Sequence, residues 1–155
     1  SGNATTEFEK LVNSLRQLTL PVQQKIEAAA QIKKRRQEDA VYGFKIAKES
    51  SRLDIGQTVV VKNGTVLAVE AFEGTNEAVK RGGALGRGGA TMVKVSKPNQ
   101  DMRFDVPVVG PDTIRTAAGA GVDLIAVEAG KTLILDRAEV LRLCQEAKVS
   151  VIALA

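Results

Sequence analysis

Two runs of mostly β-branched residues flank an Asn-Gly pair, and this pattern constrains the fold more than any other. The runs cover residues 58–62 and 65–71, and Asn63-Gly64 separates them. Both central residues of the tightest hairpin turn have positive φ, which Asn and Gly adopt at low cost. The pattern therefore predicts an antiparallel β-hairpin.

Helical and strand-like periodicities alternate elsewhere along the chain. Pro21 ends a first helix and Asp136 caps a last one. We predict helices at 5–18, 22–37, 40–51, 76–81 and 112–120 and after residue 136, and strands at 91–96, 122–127, 132–135 and 149–154. This order indicates an α/β fold, a mixed sheet with flanking helices and one β-hairpin, preceded by a helical N-terminal segment. We divide the chain into that segment, 1–50, for packing or oligomerisation, and an α/β catalytic-type domain, 51–155.

The chain contains no His and a single Cys, Cys144. This excludes a disulfide within the chain, a Ser-His-Asp or Cys-His nucleophile system and a zinc site that uses His. A general base must then be Asp, Glu, Lys, Tyr or a metal-bound water. Any catalytic metal should be a hard cation on oxygen ligands, and Mg²⁺ is the best fit.

The formal net charge is +4, and aromatic residues make up 3% of the chain. A mild positive charge suits an anionic substrate or an anionic membrane surface. The scarcity of stacking side chains argues against a nucleic-acid partner. No apolar stretch is long enough to span a bilayer.

Residues 97–107, KPNQDMRFDVP, hold the densest set of charged groups. In an extended conformation Asp101, Arg103 and Asp105 would share one face. Asp101 and Asp105 would then lie roughly 13 Å apart, too far to bind one metal together unless the chain bends. One would serve as a metal ligand and the other as a general base or as a group that hydrogen-bonds to a metal ligand; an edge strand that displays charges to water is the alternative.

Residues 70–76, EAFEGTN, leave a strand and enter a helix. Free N–H groups at such a junction suit phosphate, and Glu70 or Glu73 could add a metal ligand. The alternative is that Thr75 or Asn76 only caps the helix.

Residues 81–89, RGGALGRGG, could form a substrate-gating loop or a plain connector. Asp54 and Gln57 at the mouth of the hairpin are weaker candidates. Glu128 and Lys131 are expected to form a surface pair.

Four strings of residues together resemble, in order, the C-terminal domain of LpxI-type UDP-2,3-diacylglucosamine pyrophosphatases. They are LDIGQTVVV at 53–61, LAVEAFEGT at 67–75, KVSKPNQDMRFDVPVVGP at 94–111 and AVEAGKTLILDR at 126–137. The resemblance covers about residues 40–155 and does not extend to the family's N-terminal domain, which is thought to share the substrate cavity. Asn76 stands where the family usually has Asp.

The resemblance implies Mg²⁺-dependent hydrolysis of UDP-2,3-diacylglucosamine to UMP and 2,3-diacylglucosamine 1-phosphate, a step of lipid A biosynthesis. It implies that Asp105, and next Asp101, are the catalytic and metal-binding carboxylates. The implied substrate-binding residues are Glu70, Glu73, Gly74, Thr75, Lys97, Gln100 and Arg103. It further implies a cytoplasmic protein that contacts the inner membrane, and we expect a homo-oligomer through the N-terminal helices. The alternative is a non-catalytic nucleotide-sugar or phosphate-binding or oligomerisation module.

Overall fold

A computed structural model describes residues 34–155 of the chain, and these residues form an α/β fold. The helices are α1 (Lys34–Arg52), α2 (Thr75–Gly86), α3 (Pro111–Gly119) and α4 (Arg137–Ala147). The strands are β1 (Thr58–Lys62), β2 (Thr65–Val69), β3 (Ala90–Lys94), β4 (Val108–Val109), β5 (Val122–Glu128), β6 (Leu133–Ile134) and β7 (Ser150–Leu154). The predicted fold class is confirmed.

The main sheet has five strands in the order β2-β1-β3-β5-β7. β1 is antiparallel to both β2 and β3, whereas β3, β5 and β7 run parallel to one another. A short parallel pair, β4 and β6, forms a second sheet. The sheet is therefore of mixed direction, as the alternation of helices with one hairpin predicts.

The two faces of the main sheet are covered by different helices. Alternate residues of a strand point to opposite faces, so Val59 and Val61 pack with α1 while Val60 packs with the opposite core. Helices α2, α3 and α4 contribute Val79, Ile114 and Val140 to that second core. The sheet is thus a central layer between α1 and the other helices.

The predicted hairpin is confirmed, and α1 holds its turn. Asn63 and Gly64 have φ of 52° and 74°, the left-handed values that a two-residue turn requires. The buried carboxylate of Asp39 accepts hydrogen bonds from both of their backbone N–H groups, at 2.8 and 2.7 Å. This contact joins α1 to the far end of β1 and β2.

Helix α2 extends through the first six residues of the nine-residue glycine-rich run, so the expectation of a gating loop or a connector was wrong for residues 81–86, and residues 87–89 connect α2 to β3. The reason is close packing. A Cβ added at Gly82 would lie 2.5 Å from Cβ of Val60, and one at Gly83 would lie 2.1 Å from the backbone oxygen of Ala120. The glycines let the helix approach both the sheet and the end of α3.

The N-terminal part of the chain is described only from residue 34. The predicted helix at 5–18 and most of the one at 22–37 lie outside the described residues, as does the oligomerisation through them. The helix predicted at 40–51 is found as the longer α1, and its Ala40 and Ala47 are fully buried against the sheet. The division of the chain at residue 50 stays a prediction.

We expect Gly83→Ala to lower the free energy of unfolding by about 1–3 kcal/mol, the usual cost of overpacking a close contact. The added methyl group would overlap the backbone at Ala120. Gly119→Ala is the matched control, because its Cβ would meet nothing within 4 Å, and it should be neutral or slightly stabilising. Urea unfolding of both variants measures the difference, and equal stabilities would contradict this account of the helix contact.

Candidate functional site

Polar side chains gather at one edge of the main sheet, where β3 and β5 end. Thr58, the first residue of β1, is paired in register with Lys94, the last residue of β3. The end of β2 and the start of α2 lie beside them, since Thr58 contacts Thr75 across 3.3 Å. Ligands of open α/β sheets bind outside the carboxyl ends of the parallel strands, and this edge is such a place.

Glu70 links the loop after β2 to the start of α2. Its carboxylate accepts a hydrogen bond from the Thr75 hydroxyl at 3.1 Å and another from the backbone N–H of Gln57 at 3.3 Å. Gly74 precedes the helix with φ of 82°, a left-handed conformation that favours glycine. The turn predicted at this strand-to-helix junction is therefore present, and Glu70 and Thr75 face each other across it.

Gln100 extends this arrangement to Asp105. Its side-chain oxygen accepts hydrogen bonds from Gln57 Nε2 at 3.0 Å and from the backbone N–H of Lys97 at 2.8 Å. Its Nε2 donates to the Asp105 carboxylate at 2.6 Å. Glu70 and Asp105, which are 35 positions apart in the sequence, thus belong to one hydrogen-bonded set, which we call the carboxylate network. Its members are Gln57, Thr58, Glu70, Thr75, Gln100 and Asp105.

The expectation of an extended chain over 97–107 was wrong, because this segment consists of turns. The backbone N–H groups of Phe104 and Asp105 both donate to the carbonyl of Asp101, at 3.1 and 2.9 Å. Prolines favour extended neighbours only next to themselves, and the five residues between Pro98 and Phe104 fold back. The bend removes the predicted common face of Asp101, Arg103 and Asp105.

Asp101 and Arg103 form a separate exposed pair. Arg103 donates to both carboxylate oxygens of Asp101, through Nε at 3.0 Å and a terminal nitrogen at 2.9 Å. The hydrogen bonds from Arg103 lower the pKa of Asp101, and the Asp101 carboxylate raises the pKa of Arg103. Neither side chain bonds to the carboxylate network, so the structure brings Asp105 but not Asp101 into it.

Two other predicted site residues have charged partners of their own. Glu73 pairs with Arg81 at 2.5 Å, and this hydrogen bond lowers the pKa of Glu73. Lys97 pairs with Asp54 at 2.6 Å, which raises the pKa of Lys97. Both pairs lie on the exposed rim around the network.

Lys94 is a residue of this site that our candidate list missed. Its half-buried amine donates to the backbone oxygen of Val108 at 3.2 Å. Burial lowers the pKa of Lys94, while the nearby charges of Glu70 and Asp105 act to raise it. Its place at the carboxyl end of a strand whose other four residues are buried was the signal that could have identified it.

Residues 23–152 match the family described as the LpxI C-terminal domain. The chain belongs to this family. The match includes the whole carboxylate network, and it confirms the resemblance that the sequence strings indicate.

The LpxI-family chain was also compared with individual proteins. It is 45% identical over 104 residues to the UDP-2,3-diacylglucosamine pyrophosphatase LpxI of Caulobacter vibrioides, an alignment that covers 62% of this chain and 37% of that protein. The chain thus spans about a third of that relative's length. Among solved structures, the apo dCMP deaminase of cyanophage S-TIM5 aligns with a TM-score of 0.47 and 18% identity, over 76% of this chain and 98% of that one.

Metal ligands and membrane spans were sought in the part of the LpxI-family domain that the structure describes. Residues 34–155 contain no group of three or more Asp, Glu or Cys side chains placed to hold a metal ion. No helix in this range is long and apolar enough to cross a membrane.

Glu128 of this LpxI-family domain supports the loop that carries Gln100 and Asp105. The predicted pair with Lys131 is present, but the expectation that it lies at the surface was wrong for Glu128, whose side chain is only 8% exposed. It accepts hydrogen bonds from the backbone N–H and the hydroxyl of Ser96, at 2.8 and 2.9 Å, and pairs with Lys48 and Lys131 at 3.1 Å. Glu128 thereby fixes the chain where it leaves β3, just before Lys97.

The buried Glu128 carboxylate should make stability depend on pH. Burial alone raises its pKa, but the Ser96 and lysine hydrogen bonds outweigh this and lower it to about 2. Because the folded-state pKa is depressed, the stabilisation is fully present above the unfolded value near 4.5 and is lost as pH falls towards 2.

We expect Glu128→Gln to abolish a pH-dependent part of the unfolding free energy on the order of 3 kcal/mol between pH 5 and 2. Ser96→Ala removes one of the donors that lower the pKa of Glu128. The folded-state pKa should then lie closer to the unfolded value, so stability should be lost over a narrower pH range. Urea titrations at a series of pH values measure both effects. Parallel stability curves for the wild type and Glu128→Gln would contradict the assignment.

Proposed function

We propose that this domain carries the site that hydrolyses the diphosphate of UDP-2,3-diacylglucosamine, which yields UMP and 2,3-diacylglucosamine 1-phosphate. The observation that carries the proposal is the union of Glu70, Thr75 and Asp105 in one network. Family membership and the 45% identity to a protein named for that activity support it. We place the enzyme in the cytoplasm, where it would meet a nucleotide-linked lipid at the inner membrane.

The network suits phosphoanhydride hydrolysis, which needs charge neutralisation and an oriented water more than a covalent nucleophile. Oδ2 of Asp105 accepts a hydrogen bond from Gln100 Nε2. Oδ1 of Asp105 has no hydrogen-bond partner among the described residues. That oxygen can accept a proton from water or orient it. Asp105 is therefore the essential carboxylate of the proposal.

Mg²⁺ is the cofactor that we propose. Mg²⁺ is usually held by one or two carboxylates together with water and substrate phosphates, so a site with few acidic groups fits it. Asp105 and Glu70 would hold the ion from the protein side, and the bound ion would neutralise charge on the diphosphate. Asp101, the other carboxylate that the resemblance implies, would first have to release Arg103.

The remaining predicted residues suit phosphate binding around this centre. The N–H groups that begin α2 after Gly74 lie at the positive end of a helix of 12 residues. Lys97 and Arg103 are exposed cations on the adjoining rim, each now paired with an aspartate. A diphosphate could replace those aspartates, since arginine binds phosphate with the same planar fork.

A non-catalytic binding module is the second candidate. The observation in its favour is that Glu70 and Asp105 already bond to neutral donors within the network, an arrangement that can bind a ligand without turning it over. Binding of the substrate without turnover would support this reading. The two candidates share a site and differ in whether UMP is formed there.

We expect Asp105→Asn to lower kcat for UMP release by about 100-fold or more, since a positioned acid or base contributes at least that much. Asp112→Asn is the matched control, because Asp112 is a largely exposed carboxylate on α3 and should have no effect. Chromatographic detection of UMP with Mg²⁺ present measures the rates. Unchanged turnover in Asp105→Asn would overturn the assignment of the essential carboxylate, and binding without UMP release by the wild type would favour the module.

Contact with a membrane surface is part of the proposal, and the loops around the network support it. These loops carry large apolar side chains that are exposed to solvent, among which Phe72 is fully exposed and Phe104 is 84% exposed. The exposed apolar residues on these loops are Leu53, Ile55, Phe72, Met102 and Phe104. Arg103 lies over the ring of Phe104, 5.3 Å from its centre, so a cation accompanies the apolar group. Such a combination suits the boundary between acyl chains and anionic headgroups.

We expect the double variant Phe72→Ser, Phe104→Ser to weaken binding to phosphatidylglycerol vesicles by about tenfold or more, the effect of removing buried phenyl groups. Leu85→Ser is the control, because Leu85 is 61% exposed near the opposite end of α2 from Thr75. Vesicle co-sedimentation measures both. Equal losses in the two variants would contradict a membrane contact at the site loops.

A further inference from the structure

We propose that Lys94 is a phosphate-binding residue of this site and that its ammonium group holds a diphosphate oxygen beside Asp105. The proposal rests on the proposed function for the identity of the ligand, a diphosphate ester. It assigns a role to a residue that the sequence signals left aside.

The hydrogen bonds of Lys94 leave it free to bind an anion. An ammonium group carries three donors. The described residues use one of them, for the carbonyl of Val108 at 3.2 Å, and give Lys94 no ion pair within 4 Å. The unused donors are held at the strand end, where the side chain is half-buried and loses little rotamer freedom on binding.

The other cations at this edge are already compensated. Lys97 is paired with Asp54, Arg103 with Asp101 and Arg81 with Glu73, all at 2.9 Å or less. A phosphate bound by any of these cations would compete with a carboxylate that already neutralises the charge of that cation. Lys94 has no such pair, and this distinguishes it from the rim cations.

The surrounding carboxylates make a cation necessary. The charges of Glu70 and Asp105 both act on the pKa of Lys94. The oxygens of these two carboxylates bond to neutral donors, which are the Thr75 hydroxyl, the Gln57 N–H and the Gln100 amide. A diphosphate beside two carboxylates would be repelled at short range. The Lys94 charge offsets this repulsion from inside the site, where water screens it least.

Lys62 provides a matched control. It is likewise the last residue of a buried strand, and its amine donates to the carbonyls of Gly86 and Gly88 at 2.6 and 2.7 Å. It is paired with Thr65 at the hairpin end of β1, whereas Lys94 is paired with Thr58 at the other end. Lys62→Met and Lys94→Met therefore remove the same charge from opposite edges of one sheet.

The test is calorimetric binding of inorganic pyrophosphate to the wild type and to both variants, without added metal. We expect Lys94→Met to raise the Kd by about tenfold or more, the effect of losing a charge-assisted hydrogen bond, and Lys62→Met to leave it unchanged. Equal affinities for the wild type and Lys94→Met, or no binding by the wild type, would overturn the proposal.

Lysine acetylation of the wild type, followed by mass spectrometry, gives a second readout that needs no variant. Pyrophosphate should protect Lys94 from acetylation and should not protect Lys62. Lack of protection at Lys94 counts against the proposal.

The pyrophosphate titration and the UMP assay, made on the same variants, separate this inference from the proposed function. Pyrophosphate binding that depends on Lys94, in a protein that releases no UMP, would sustain the role of Lys94 and refute the hydrolase. UMP release with full activity in Lys94→Met would sustain the hydrolase and refute the role of Lys94.

Discussion

The buried carboxylate of Glu128 is the interaction on which the geometry of the site depends. It ties the end of β5 to the backbone of Ser96 and to Lys48 on α1, so three parts of the fold meet at one group. Everything after Ser96, including the turns that carry Gln100 and Asp105, starts from a point that this carboxylate fixes. Removal of a buried, fully bonded charge is costly, which makes the starting point firm.

The carboxylate network joins loops that are distant in sequence through neutral donors. Gln57 and Gln100 provide the links between Glu70 and Asp105, and among residues 34–155 no lysine or arginine side chain bonds to either carboxylate. Amide and hydroxyl links hold the carboxylates in place without neutralising them. The charge of the carboxylates thus remains available to a cation or a water, which suits a site for a diphosphate.

The sequence predicts most of the fold and singles out most members of the carboxylate network, but it does not predict how the candidate residues are grouped. The Asn63-Gly64 turn and the alternation of helices with strands could be predicted, because local sequence patterns indicate them. The strings of residues that resemble the family point to Glu70, Thr75, Gln100 and Asp105. The separation of Asp101 from Asp105 could not be predicted, because it follows from a turn with no Gly and no distinct periodicity. The helical course of the glycine-rich run depends on contacts with Val60 and Ala120, and spacing along the chain does not reveal such contacts.

The glycine-lined contact of α2 limits how this protein can respond to a ligand. With Gly82 and Gly83 against Val60 and Ala120, the backbone of α2 is in direct contact with its neighbours and has no side chains there that could readjust. The start of the helix at Thr75 is therefore a rigid wall of the site. Any adjustment of the carboxylate network to a ligand then falls to the turns at 97–107, so recognition divides into a fixed part on α2 and an adaptable part on these turns.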